Sequence, residues 1–138
     1  MGRRDLLLHD ALVGIHVLVV DDDGDARELL KTVLEYCGAL VTVVGSAPEA
    51  LQVLDRVMPD VVVTDIAMPM HDGYWLVQEI RARPRNNGGR MLPMIAITAH
   101  GEQHAPERTL SAGFQLHLRK PLDPWELCRA VSSVTRRS

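Results

Sequence analysis

Short apolar runs and longer stretches of helical period alternate along the whole chain. The runs are Ile15-His16-Val17-Leu18-Val19-Val20, Leu40 to Val44, Val61-Val62-Val63-Thr64, Met94-Ile95-Ala96-Ile97 and a weaker one, Phe114 to Leu118. The third lacks polar alternation, as a strand covered on both faces should. After the first run, Ala26, Leu29, Leu30, Val33, Leu34 and Cys37 recur at helical spacing, with Asp23 as N-cap and Gly38 as the stop. Ser46-Ala47-Pro48-Glu49 is a capping box opening a helix that buries Ala50, Leu51, Val53 and Leu54. Further helices are expected from about Tyr74 to Arg81 and from Pro106 to Ala112, since Pro106 is tolerated only in a first turn. The last opens at Asp123-Pro124-Trp125-Glu126, buries Leu127, Val131 and Val134, and places Arg136 and Arg137 at its negative end. Arg83 to Arg90, with Pro84, Asn86, Asn87, Gly88 and Gly89, reads as a surface loop.

About five βα units, and hence an α/β fold with a parallel sheet, follow from that alternation. A length of 138 residues suits one domain, read as residues 15–136 behind a short leader or linker stub at 1–14. Charged residues make up 24% and apolar ones 46%, an ordinary globular balance. A net charge of −3 and a pI near 6.0 give no electrostatic footprint for direct nucleic-acid binding. Cys37 and Cys128 fall inside expected helices without metal-ligand spacing, so they read as incidental thiols of a reduced, cytoplasmic protein. No apolar stretch reaches the ~20 residues that span a bilayer, which argues against membrane insertion. Leu6-Leu7-Leu8 is cut short by His9 and Asp10, too early for a signal peptide.

Five polar residues stand just past the ends of these runs: Asp21 and Asp22, Asp65, Thr98 and Lys120. In an open parallel sheet, ligands bind outside the carboxyl ends of the strands, so neighbouring strands would bring all five to one edge. Adjacent Asp21 and Asp22 repel unless a cation intervenes, and Mg²⁺ or Mn²⁺ fits a set of carboxylates, a carbonyl and waters. Asp65 is the best-placed nucleophile, because carboxylates attack phosphoryl centres to form aspartyl-phosphates. The Lys120 ammonium and Thr98 hydroxyl suit the oxygens of the transferring group. Lys120-Pro121 is a bond that can be cis and so aim the lysine.

Leu18-Val19-Val20-Asp21-Asp22-Asp23, Asp65-Ile66-Ala67-Met68-Pro69 with Asp72-Gly73, Ile97-Thr98-Ala99 and Lys120-Pro121 together resemble the signatures of bacterial response-regulator receiver domains. The resemblance covers roughly residues 15–135 and fills all five active positions in order. It implies a flavodoxin-like, doubly wound (βα)5 sandwich with sheet order 2-1-3-4-5. It implies that Asp65 is phosphorylated by a sensor histidine kinase or histidine phosphotransfer protein. Asp22, Asp65 and the Ala67 backbone carbonyl would bind Mg²⁺ directly, and Asp21 through water. Thr98 and Lys120 would read the phosphoryl group and draw the following loop and helix inward. Leu12-Val13-Gly14-Ile15 and Ala112-Gly113-Phe114 with His117-Leu118 resemble receivers of hybrid sensor kinases.

Three positions depart from, or tune, that pattern. His117, three residues before Lys120, stands where many receivers carry a switching aromatic; it reads as a surface strand residue, with a modified switch as the alternative. Ala67 and His100 occupy positions that tune phosphoryl lifetime in the family. Trp125 borders the family's usual dimer and partner face on the last strand and helix, making it a candidate contact there, whether in a homodimer or with another protein. His9, His16, His71 and His104 read as incidental, Arg81, Arg83, Arg85 and Arg90 as solvated surface, and Gly73 as a turn requirement. The expected function is a phosphorylation-dependent signalling module and not a turnover enzyme. A pseudo-receiver, with the same fold used as a phosphorylation-independent binding or dimerisation surface, is the alternative. A phosphatase reading is weak, because Ala67 stands where a second catalytic acid belongs and no insertion could form a cap.

Overall fold

The computed structural model of the protein describes residues 9–83, 91–99 and 106–135. Five strands and five helices alternate in it: β1 (His16–Val20), α1 (Gly24–Tyr36), β2 (Leu40–Val44), α2 (Ala47–Leu54), β3 (Val61–Asp65), α3 (Gly73–Ala82), β4 (Met94–Thr98), α4 (Pro106–Ala112), β5 (Leu116–Arg119) and α5 (Pro124–Thr135). All strand pairs are parallel and the order is β2-β1-β3-β4-β5, the doubly wound sheet expected. Arg85, Arg90, His100, His104, Arg136 and Arg137, with most of the 83–90 loop and the first eight residues of the leader, lie outside the described residues.

The strand period of two divides the core in half. Val17, Val19, Val61, Val63, Ile95 and Ile97 face Leu30 and Leu34 of α1 and Leu127 and Val131 of α5. Leu18, Val20, Val62, Met94 and Ala96 face the opposite way, onto Ala47 and Ala50 of α2 and Leu76, Val77 and Ile80 of α3. Because both faces are covered, the strands need no polar alternation. Full burial of each larger aliphatic side chain contributes roughly 1.5–3 kcal/mol. Leu12, ahead of β1, joins the first half-core, and its N–H donates to the Cys37 carbonyl at 2.8 Å.

Local polar chemistry starts the helices where the sequence expects. The Asp23 side chain accepts from the N–H groups of Asp25 and Ala26, and Asp123 Oδ1 accepts from Trp125 N–H at 2.9 Å. Ser46 Oγ accepts from Glu49 N–H at 3.3 Å, the first half of the expected capping box, and donates to the Glu49 carboxylate at 3.2 Å. Asp72 caps α3 through Trp75 N–H at 2.8 Å.

Four expectations are corrected. The fifth strand begins at Leu116 and not Phe114; Gly113 turns at φ 121, and Phe114 drops into the core beside Tyr74. Gly73 has no left-handed backbone. A Cβ there would stand 2.8 Å from the Asp65 carbonyl oxygen and 2.9 Å from Ile66 Cα, so close approach of α3 to the β3 loop demands glycine. Arg81 is not solvated surface: its guanidinium donates to the carbonyls of Gly113 (2.6 Å) and Leu92 (2.7 Å) and to Gln115 Oε1 (3.1 Å). Finally, Cys37 and Cys128 are not unconnected thiols. Packed side by side on one sheet face, the end of α1 and the middle of α5 bring them together, and they form a disulfide across 91 positions. Sequence spacing holds no trace of that pairing.

Candidate functional site

Parallel register lines up the strand ends that matter. Val20 pairs with Thr64 and Val44, Asp65 with Ile97, and Thr98 with Arg119, so each site residue emerges at the same carboxyl edge. Ladder bonds extend just past the strands to fix the exits. Asp21 N–H reaches the Val44 carbonyl at 3.2 Å, Ile66 N–H that of Ile97 at 3.0 Å, and Lys120 N–H that of Thr98 at 2.8 Å. Lys120-Pro121 is cis, as the sequence allows.

Carboxylate oxygens of Asp21, Asp22 and Asp65 lie within 4.8 Å of one another. Lys120 Nζ stands 3.6 Å from Asp21 Oδ2 and 3.9 Å from Asp65 Oδ2, between the buried acid and the half-buried one. Asp21 is 1% exposed; its Oδ1 accepts from Asp23 N–H at 3.0 Å. Its Oδ2 is buried without a hydrogen-bond partner. Burial pushes this carboxyl above its ordinary value of 3.8, and the charges of Asp22 and Asp23 add to the rise; the Asp23 N–H and Lys120 oppose it. Asp22 is exposed at the mouth. Asp65 Oδ1 accepts from Ala67 N–H at 3.3 Å, so the loop after β3 curls back over the acid. The Ala67 side chain is exposed and apolar, while Ile66 and Met68 on either side are buried.

This donor set suits a hard divalent cation. Three carboxylates converge, one oxygen is orphaned by burial, and the Lys120 ammonium is close enough to offset their repulsion. The Lys120 ammonium stands beside this cluster, and Thr98 ends β4 at the same edge of the sheet.

Thr98 is buried, and its Oγ1 lies 2.9 Å from His117 Nε2. The His117 Nδ1 is 2.9 Å from Thr109 Oγ1 on α4. His117 is therefore not a surface strand residue; it is half-buried between the site and a helix. Sequence reasoning placed His117 at the switch position but missed Thr109, a residue of no local motif whose role depends on α4 folding back over β5. It also missed Arg27, whose Nη1 donates to the Asp21 carbonyl at 2.8 Å and so steadies the first acidic turn. His71 stacks on Trp75 at 4.0 Å beside the Asp72 cap, and Trp125 is half-buried, 5.7 Å from Tyr36. His100 lies outside the described residues.

A doubly wound sheet with an acidic, lysine-bearing pocket at its carboxyl edge marks the class as flavodoxin-like and receiver-type. The family model of the response regulator receiver domain matches residues 17–132, and the chain belongs to that family, whose members are signalling domains of two-component systems. An uncharacterised 14.6 kDa protein of Leptolyngbya boryana is 45% identical over 120 residues, covering 87% of this chain and 89% of its own. Response regulator SaeR of Staphylococcus aureus is 32% identical over 122 residues; these are 88% of this chain, which spans only 51% of SaeR. Among solved structures, a candidate response regulator of Chloroflexus aurantiacus superposes with a TM-score of 0.81 at 34% identity, covering 89% of this chain and 98% of that one. The receiver domain of sensor histidine kinase PA1611 from Pseudomonas aeruginosa, solved with a magnesium ion coordinated in its active-site cleft, gives 0.76 at 31% identity, covering 88% and 97%. Among the described residues, no helix is long and apolar enough to cross a membrane.

Proposed function

We propose that the protein is a phosphoacceptor module of a two-component phosphorelay, with Asp65 as the acceptor. The observation that carries this reading is the three-carboxylate cluster with Lys120 Nζ between Asp21 and Asp65. Phosphorus on a donor imidazole is attacked by an Asp65 oxygen. The new O–P bond forms as the N–P bond breaks, and the released nitrogen of the donor histidine takes up a proton. Asp21, Asp22, Asp65 and the Ala67 carbonyl are the groups that would hold Mg²⁺ or Mn²⁺, which neutralises charge on the phosphoryl oxygens when bound. Asp22 and Asp65 would serve as direct ligands and Asp21, already engaged with Lys120 and the Asp23 N–H, would act through water. Lys120 supplies a fixed positive charge, and Thr98 a hydroxyl donor, to the transferred group. Receiver domains serve signalling and not substrate turnover, and this chain would add only its own phosphorylation and slow self-dephosphorylation.

The donor would be a sensor histidine kinase or histidine phosphotransfer protein, and the site of action the cytoplasm. The PA1611 receiver, with its magnesium, supports the metal assignment, and the kinase that carries it supports the choice of donor. A phosphorylation-dependent protein contact through β5 and α5, where Trp125 is half-buried, is the expected output. Intact mass after incubation with a small phosphodonor tests the reading. The expected result is a gain of one phosphoryl group that requires Mg²⁺ and is absent from Asp65→Asn. A folded protein that shows no gain at any time point, and whose pocket ignores beryllofluoride, would instead be a pseudo-receiver.

A further inference from the structure

β2 is an edge of the sheet, hydrogen-bonded to β1 and, among the described residues, to no strand on its other side. Parity fixes which of its backbone groups face outward. Leu40 N–H donates to the Ile15 carbonyl at 2.9 Å, and the Val44 carbonyl accepts from Asp21 N–H at 3.2 Å. In a parallel ladder both backbone groups of alternate residues turn to the same neighbour, so Leu40, Thr42 and Val44 bond to β1. The N–H and C=O of Val41 and Val43 therefore point away from the sheet. Such an edge is ordinarily blunted by charge, proline or a bulge. Leu40-Val41-Thr42-Val43-Val44 has none of these and pairs with β1 without interruption, whereas the opposite edge, β5, carries His117 and Arg119. Leu40 is 68% exposed.

We propose that β2 is a self-association edge, where a second copy of this chain adds its own β2 antiparallel and joins two five-stranded sheets into one. The strand is its own complement about a two-fold axis at Thr42. Val41 then faces the second copy's Val43, and Val43 its Val41, hydrogen-bonded pairs that use every outward group. Thr42 meets Thr42 at the axis, and exposed Leu40 lies beside the second copy's Val44, in the closer pairs that share no backbone bond. Charge on α1 agrees with that register. Arg27 marks the side of α1 over this edge, since its Nη1 would stand 3.0 Å from a Cβ at Gly45, just past β2. Lys31 and Glu35 follow on the same face at successive turns. α1 runs antiparallel to β2, and four helical residues descend about 6 Å while two strand residues descend about 6.6 Å. Lys31 therefore falls level with Val43, and Glu35 with Val41. The two-fold axis brings Lys31 of each copy to Glu35 of the other, opposite charges on both sides of the axis. This contact lies at the far edge from β5 and does not depend on the phosphoacceptor reading.

Sedimentation equilibrium of the full chain tests the proposal, beside amide hydrogen exchange at Val41, Thr42 and Val43. The chain should dimerise reversibly. Lys31→Glu or Glu35→Lys alone sets like charges against each other at both contacts and should weaken the dimer on the order of tenfold. Combining the two reversals restores opposite charges and should restore the dimer. Val41 and Val43 amides should exchange quickly in dilute protein and slow as concentration rises. Thr42, bonded to β1, should stay protected throughout and so report that β2 is folded in every variant. A chain that stays monomeric with fast Val41 and Val43 amides would overturn the proposal. So would protection of these amides at every dilution, the mark of an edge covered by the chain's own residues. A dimer in which both amides stay fast, or which the single reversals leave unchanged, would place self-association on another face and overturn it too.

Discussion

Asp21 carries its charge where the fold alone does not welcome it. One oxygen is orphaned, Asp22 and Asp23 stand close by, and only the Asp23 N–H and Lys120 lean the other way. A carboxyl whose folded value is raised binds its proton more tightly folded than unfolded. Its ionised form therefore costs stability, a cost absent below about 3.8 and complete once pH exceeds the raised value. Metal-free protein should accordingly gain stability as pH falls through that window, and Asp21→Asn should lack this gain. At neutral pH without metal the variant should melt higher than wild type, yet gain less from added Mg²⁺; thermal melts with and without the ion check both. Gly73 is under the opposite kind of constraint. Gly73→Ala should destabilise by about 1–3 kcal/mol through overpacking against the Asp65 carbonyl, measured by denaturant unfolding. Asp21, Asp65, Thr98 and Lys120 were legible in the sequence because each ends an apolar run or stands just past one. Thr109 was not, since its partner lies eight positions on and meets it only in three dimensions.

Elements were legible wherever hydrophobic period and cap agreed. Ser46 with Glu49, Asp23 and Asp123 mark helix starts by hydrogen bonds that need no tertiary context. β5 was harder to place. Its residues are only partly buried, and the strongest apolar residue nearby, Phe114, serves the core from a turn outside the strand. Arg81 shows why charge is a poor guide to exposure. Its aliphatic stem reaches across to Gly113 while its head satisfies carbonyls at the entries to β4 and β5. Arg81→Met keeps much of the stem and removes the donors, so it should cost about 1–3 kcal/mol by leaving those acceptors short. Arg81→Lys should recover only part of that loss, because one ammonium cannot reproduce the planar fork. Unfolding curves for the pair would show the difference.

At the scale of the whole molecule, the Cys37–Cys128 bond joins α1 to α5 across 91 positions, closing a loop that includes four of the five strands. Loop-closure entropy assigns such a crosslink roughly 4.6 kcal/mol, and about 2–4 kcal/mol is typical in practice. Reduction should lower the denaturant midpoint accordingly, and alkylation of the unfolded protein should find free thiols at both positions only after reduction. Disulfides are uncommon in reducing compartments, so in cytoplasm the fold would rest on its two half-cores. Those cores, period-two strands covered on both faces, are what made the architecture readable, and the disulfide is what no spacing rule could have supplied. The central claim is that this architecture delivers one carboxylate, Asp65, as phosphoacceptor. Borohydride reduction of the freshly phosphorylated protein tests it most directly, since an acyl phosphate on aspartate is reduced to homoserine at the same position. Peptide mass spectrometry should find homoserine at position 65 and nowhere else. Homoserine at 21 or 22, or a phosphoryl group that resists borohydride on another residue type, would contradict the account.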